Sequence, residues 1–154
     1  MSQPTELTQG LYRPEFERDN CGFGLIAQMD GKPSHWLVKT AIEALGNLTH
    51  RGAIGADGKT GDGCGLLLKK PDSFFKAIAE ELGFSLEQRY AVGMVFLSQD
   101  DNKAQLAQDA VTAKLIEQGL QVAGWREVPV EPEVACGQEA LRLLPKMRHV
   151  FVNA

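Results

Sequence analysis

Ten of the 16 glycines in this 154-residue chain lie between Gly22 and Gly65. Glycine gives up more conformational freedom on folding than any other residue and offers a regular element no side chain to pack. That third of the chain is therefore held to short elements and tight turns, as where backbone comes close to a ligand. The density peaks over residues 51–65, RGAIGADGKTGDGCG, in which six of fifteen residues are glycine. Taken over the whole chain, the composition suits a globular domain, with 44% hydrophobic and 23% charged residues, and the length allows one domain with a real core. A formal net charge of −4 with no cluster of lysines and arginines excludes nucleic acid or an acidic membrane as the main partner. The longest apolar run, residues 91–97, falls far short of the roughly 18 residues that cross a bilayer. Residues 1–20 carry Glu6, Arg13, Glu15, Glu17, Arg18 and Asp19 and no apolar core, so they are not a secretory signal. Cys21, Cys64 and Cys136 make no CxxC pair, which points to neither a disulfide framework nor a zinc ribbon. The expected compartment is the cytoplasm.

Periodicity predicts strands and helices in alternation. Residues 1–20 read as an extended leader, and residues 21–29 as a short buried strand ending in the turn Asp30-Gly31-Lys32-Pro33. Ser34 is placed to cap a helix carrying Leu37, Val38, Ala41, Ile42, Leu45 and Leu48 and ending near Thr49-His50. After the glycine loop, residues 66–70 read as a strand. Asp72 or Ser73 caps a helix with Phe74, Phe75, Ile78 and Leu82, closed by Gly83. Residues 89–98 give the strongest strand pattern. Asn102 precedes a third helix with Leu106, Ala110, Val111 and Leu115, closed by Gly119. A strand over 120–130, interrupted by Gly124, a short helix over 138–144 and a strand from His149 complete the order.

Two glycine motifs fail on context. Gly22-Phe23-Gly24-Leu25-Ile26-Ala27 fits the dinucleotide fingerprint, which needs a strand before it, and residues 13–20 are charged and contain proline. Gly58-Lys59-Thr60 resembles the end of a phosphate-binding loop, yet Ala53 stands where the first glycine belongs and no helix follows. Cys21 stands out, at the boundary between a polar leader and an apolar segment with Gly22 and Gly24 beside it. A thiol is a strong nucleophile that needs a base at neutral pH. Removal of the leader would supply one, an α-amine on Cys21 with a pKa of about 7.7–8.0. A small buried hydrophobe is the alternative. His35, His50 and His149 are each candidates for a cysteine–histidine pair, but helix ends and strand packing account for them. Asp57 and Asp62, in a glycine loop, are expected to bond to backbone rather than to shuttle protons.

Three segments carry a family resemblance: Arg18-Asp19-Asn20-Cys21-Gly22-Phe23-Gly24, Leu48-Thr49-His50-Arg51-Gly52-Ala53, and Gly55-Ala56-Asp57-Gly58-Lys59-Thr60-Gly61-Asp62-Gly63. Together they resemble the class II glutamine amidotransferase domain at the start of the glutamate synthase large subunit, an N-terminal-nucleophile (Ntn) hydrolase. Trp125-Arg126-Glu127-Val128-Pro129-Val130 and Arg148-His149-Val150-Phe151-Val152 read like the same family. Nearly the whole chain is covered, and the cysteine, HRG and GADGKTGDG combination at this spacing is specific.

The resemblance implies an α+β fold, the incomplete first part of an α-β-β-α four-layer sandwich. Residues 1–20 would be a propeptide-like leader, and residues 21–154 the N-terminal part of the amidotransferase domain. Cys21 would be the catalytic nucleophile, and Arg51 would support it and the glutamine site. Cys64 departs from the alanine more usual in the family and is read as packing. The family's oxyanion hole, an asparagine–glycine pair, and its substrate-gripping arginine and aspartate fall beyond Ala154, so this piece alone is expected to be weak or inactive. The FMN and iron–sulfur regions implied for the full-length enzyme also lie outside this segment, in which no cofactor or metal site is expected. Implied partners are glutamine, the remainder of the synthase chain and a small reductase subunit. Two further classes stay open: a non-catalytic Ntn-like binding or assembly module, and a Cys–His hydrolase that depends on His50 or His35.

Overall fold

The computed structural model of the chain describes residues 22–48, 54–61 and 63–154. It divides into two units, Met1–Arg51 and Gly52–Ala154. In the first, Leu37, Val38, Ala41 and Leu45 recur at helical spacing and form the half-buried side of α1 (His35–Asn47). Ser34 sits extended at the N-cap as expected, but its hydroxyl makes no capping bond. The turn before the helix also holds: Asp30 Oδ1 accepts the Lys32 amide at 3.0 Å, and Gly31 has a φ of 67°. Thr49 and His50 lie outside the described residues. The strand expected over 21–29 does not form across 22–28, where Phe23 is 95% exposed. An apolar run marks residues that prefer burial, but a strand exists only where a neighbour completes its ladder. No other strand is described in this unit.

The second unit is built on an antiparallel sheet with the order β1-β3-β2. β1 is Tyr90–Leu97, β2 is Gln121–Glu127 and β3 is Lys146–Asn153. The central strand is apolar on both sides, so Val150, Phe151 and Val152 are all buried. Alternation sends Phe151 and His149 to one face, where α2 (Asp72–Glu81) lies. Phe75 of α2 stands 5.9 Å from the Phe151 ring and 6.0 Å from His149, while Phe84 approaches Phe151 at 5.2 Å between centroids. Gly124 faces that same Phe84 ring: a Cβ there would lie 2.6 Å from two ring carbons, and the β2–β3 register shifts beside it. The interruption at Gly124 is thus the room that Phe84 needs.

The opposite face carries α3 (Asp101–Glu117). The Trp125 indole donates to the Thr112 hydroxyl at 3.1 Å, Arg148 donates to Gln108, and Lys146 pairs with Asp101. These bonds set the rotation of the helix. Ala104 is buried and Val111, Thr112 and Leu115 are partly so, whereas Leu106 and Ala110, expected inside, are exposed. α3 starts before Asn102, at Asp101, and Asp100 caps it, accepting the Lys103 amide at 2.9 Å. Both helices end in the same way. Gly83 and Gly119 adopt φ of 80° and 78°, and the next residue returns its amide to the fifth carbonyl back, Phe84 to Ala79 and Leu120 to Leu115.

The N-terminus of α2 differs from expectation, since Pro71 occupies the N-cap and Asp72 is already helical. The Asp72 carboxylate instead accepts the Tyr90 hydroxyl at 2.7 Å. Burial and that carboxylate push the Tyr90 phenol up to about 12. The strand expected over 66–70 is not formed, and Leu67 is fully exposed, again with no ladder available. α4 (Pro132–Ala135) was not foreseen, whereas α5 (Gln138–Leu143) matches its expected helix. The α+β class is therefore observed, as a mixed helix and sheet unit.

Candidate active site

Cys21 and Arg51, to which the family resemblance gives the chemistry, lie outside the described residues, as do His50 and Asp62. The chain after each is described. Gly22-Phe23-Gly24 runs without a helix opening, so the anion site that a dinucleotide fingerprint requires is not formed. Residues 54–61, which follow Arg51, make a closed turn. Ile54 bridges Gly61, the Gly55 amide donates to the Thr60 carbonyl at 2.5 Å, and Gly58 bonds back to Gly55 at 3.0 Å with a φ of 71°.

Asp57 is the centre of this turn. Its Oδ1 accepts the amides of Lys59 at 3.1 Å and Thr60 at 2.8 Å, and its Oδ2 accepts the Thr60 hydroxyl at 2.5 Å. The Thr60 hydroxyl above all, then the Thr60, Lys59 and Glu139 amides, hold the carboxyl at about 2. A carboxylate so fully engaged is a poor proton shuttle at neutral pH, and its role is structural. Lys59 is exposed, and the Thr60 hydroxyl is committed to Asp57 rather than free for a magnesium ion. The phosphate-loop reading is thereby set aside.

The Glu139 amide belongs to α5, about eighty residues further along. The turn and α5 meet closely at Gly137, where a Cβ would run into the Asp57 carboxylate and the Thr60 hydroxyl. Sequence reasoning missed this junction. The only local signal was a glycine immediately before a helix.

The remaining candidates divide by burial. Cys64, expected to pack, is exposed on the unpaired stretch 63–70 and is a free thiol, as is the partly buried Cys136. His35 is exposed at the first position of α1. His149 packs edge-on against Phe75 and Phe151, and its Nδ1 has no partner. Burial, and secondarily the cross-strand Arg126, lower its pKa from 6.5. The fold therefore favours neutral imidazole, and the unfolded chain takes up the proton first as pH falls. His149 is expected to leave stability intact above about pH 6.5 and to erode it below that value. Urea midpoints between pH 7 and 5 should fall less steeply in His149→Leu than in the wild-type chain, and parallel slopes would contradict this.

Among the described residues, no group of three histidine, cysteine or acidic side chains converges to hold a metal. An iron–sulfur cluster typically takes four thiolates, and the chain has three cysteines. These residues do not fit such a cluster. Among the described residues, no helix is long and apolar enough to cross a membrane.

Comparison with known proteins identifies the family. Residues 21–154 match the family Glutamine amidotransferases class-II. The large chain of the NADPH glutamate synthase of Bacillus subtilis (strain 168) is 43% identical over 146 residues, 95% of this chain and 10% of that protein. Ferredoxin-dependent glutamate synthase 1 of Arabidopsis thaliana is 44% identical over 139 residues, 89% of this chain and 8% of that protein. The NADPH glutamate synthase large chain of Azospirillum brasilense is 40% identical over 148 residues, 95% and 10% respectively. The chain thus spans a small part, 8–10%, of the length of these relatives. With a family match from Cys21 to the last residue, the chain belongs to the class-II glutamine amidotransferases.

Proposed function

We propose that this chain carries the nucleophile of the glutamine-hydrolysing domain of a glutamate synthase, and that Cys21 is that nucleophile. One observation carries the reading: the family match begins at Cys21 and leaves residues 1–20 outside it. Residues 1–20 are accordingly a leader, and residues 21–154 are the first part of the amidotransferase domain. The complete domain is a four-layer α-β-β-α sandwich.

In the mechanism, the free α-amine of Cys21 accepts the thiol proton, directly or through a water. The thiolate attacks the carbon of the glutamine side-chain amide. The C–N bond breaks, the proton leaves with ammonia, and a γ-glutamyl thioester remains. Water then attacks the thioester, releasing glutamate and restoring the thiol. Arg51 helps hold glutamine, a task suited to a guanidinium that pairs with carboxylate. Oxyanion donors and further substrate contacts come from the longer protein. In that longer protein 2-oxoglutarate would be the acceptor of the ammonia, and FMN and an iron–sulfur cluster, held by residues outside this segment, would supply the reducing equivalents, with a small reductase subunit as partner.

Processing provides the test. Intact mass of the natural full-length enzyme should give a chain starting at Cys21. A chain forced to retain residues 1–20 lacks its base and should lose roughly 10²-fold or more in glutamine hydrolysis, the usual worth of general base catalysis. Full activity with the leader attached would refute the amine as base.

A further inference from the structure

We propose that α2 is an acid-released element: protonation of His149 frees it from the sheet while α3 stays docked on the opposite face. The unequal attachment of the two helices carries the inference. α3 is pinned by three polar bonds, Trp125 to Thr112, Arg148 to Gln108 and Lys146 to Asp101. Among the described residues, the side chains of α2 make one such bond to the sheet, where Asp72 at its first position accepts the Tyr90 hydroxyl. The rest of its attachment is packing. Ile78 and Ala79 are buried, and Phe75 lies edge-on to both Phe151 and His149.

His149 is the one titrating group in that packing. Its ring stands 6.0 Å from both Phe75 and Phe151, and its Nδ1 is buried without a partner. No element around it offers a counter-charge. β2 places Arg126 directly across from it, while Glu127 alternates to the other face, opposite Arg148. β1 contributes Met94 and has no charged residue. On α2, Asp72, Lys76, Glu80 and Glu81 are all solvent-exposed. An imidazolium would therefore sit among aromatic rings beside a guanidinium, and a buried cation without a partner is costly. Lifting Phe75 away with α2 gives it water. With α2 released, His149 takes its proton at the ordinary 6.5, whereas the docked form resists it to lower pH, so acid favours release. The carboxylates take no part near neutrality. Hydrogen bonds from Tyr90 and Lys146 lower Asp72 and Asp101 below 3.8, so both bonds persist throughout pH 7 to 5.5.

Hydrogen exchange of the natural full-length enzyme, read by mass spectrometry at pH 7 and pH 5.5, tests this without reference to activity. Protection is corrected for the intrinsic pH dependence of amide exchange and compared between α2 and α3. On acidification α2 should lose protection severalfold, up to the roughly eightfold set by one proton taken up at 6.5. α3 should stay within about 1.5-fold, since none of its ties to the sheet titrates in that range. His149→Leu removes the titrating group and should hold α2 constant within the same margin. Arg126→Gln removes the neighbouring cation and should diminish the loss, and it carries the test should His149→Leu fail to fold. A wild-type loss in α2 of less than about twofold overturns the proposal. So does an equal loss in α2 and α3, which would mark general acid destabilisation. A loss that persists undiminished in His149→Leu, or in Arg126→Gln where the first variant does not fold, overturns it as well.

Discussion

Replacing Cys21 with alanine in the full-length enzyme is expected to lower glutamine hydrolysis by roughly 10⁴-fold or more, the scale seen when a covalent nucleophile is removed and only binding and oxyanion stabilisation remain. The expectation follows from the chemistry. The amide carbon needs an attacking group, and a thiol with a neighbouring amine is the one such pair the chain offers after processing. Cys64 is exposed on an unpaired stretch and Cys136 follows the short helix α4. Alanine at either should leave the rate within about threefold, as for surface substitutions with no mechanistic role. Loss of activity on Cys64→Ala with retention on Cys21→Ala would reverse the assignment. His35→Ala should also be silent, whereas a Cys–His hydrolase would lose its base.

Phe151→Ala carries the largest expected loss of stability. Phe151 is the one large side chain fully buried among the described residues, at the centre of β3 between Val92 and Gly124 on its neighbours. Its ring meets Phe75, Phe84 and His149 within 6.0 Å. Truncation removes apolar burial and three ring contacts at once and leaves a void that a sheet centre cannot close, a loss of about 3–5 kcal/mol. A domain commonly has about 5–15 kcal/mol to lose. Phe96 provides the contrast on the same face of β1, where it is 65% exposed. Phe96→Ala should stay within about 1 kcal/mol, near the ordinary range for surface changes. Urea unfolding of the two variants reads the difference, and equal losses would contradict the central place of β3.

Phe96 and Phe151 also show where the sequence is readable. Both sit in strongly apolar segments and both strands are legible, but which strand is central follows from pairing, which no local pattern encodes. α2 and α3 were legible from their apolar spacing and from Gly83 and Gly119 at their ends. The rotation of α3 was not, because its inner face is set by bonds from Trp125 and Arg148 to Thr112 and Gln108. The apolar runs at 22–28 and 66–70 look like strands in composition and find no ladder among the described residues. At the site, residue chemistry alone leaves Cys21 between nucleophile and packing, and the proposal that it is the nucleophile rests on the family resemblance. The side-chain-to-backbone bonding of Asp57 was expected from its glycine loop. Its junction with Gly137 was invisible because eighty residues intervene.

The central claim, that Cys21 becomes an N-terminal nucleophile acting on glutamine, is tested most directly with diazo-oxo-norleucine, a glutamine analogue that alkylates the attacking group. The natural full-length enzyme should be labelled once, and peptide mass mapping should place the adduct on a Cys21 that begins its peptide with a free amine. An adduct on Cys64 or Cys136, an adduct on a Cys21 still preceded by Asn20, or no adduct at all would contradict the account.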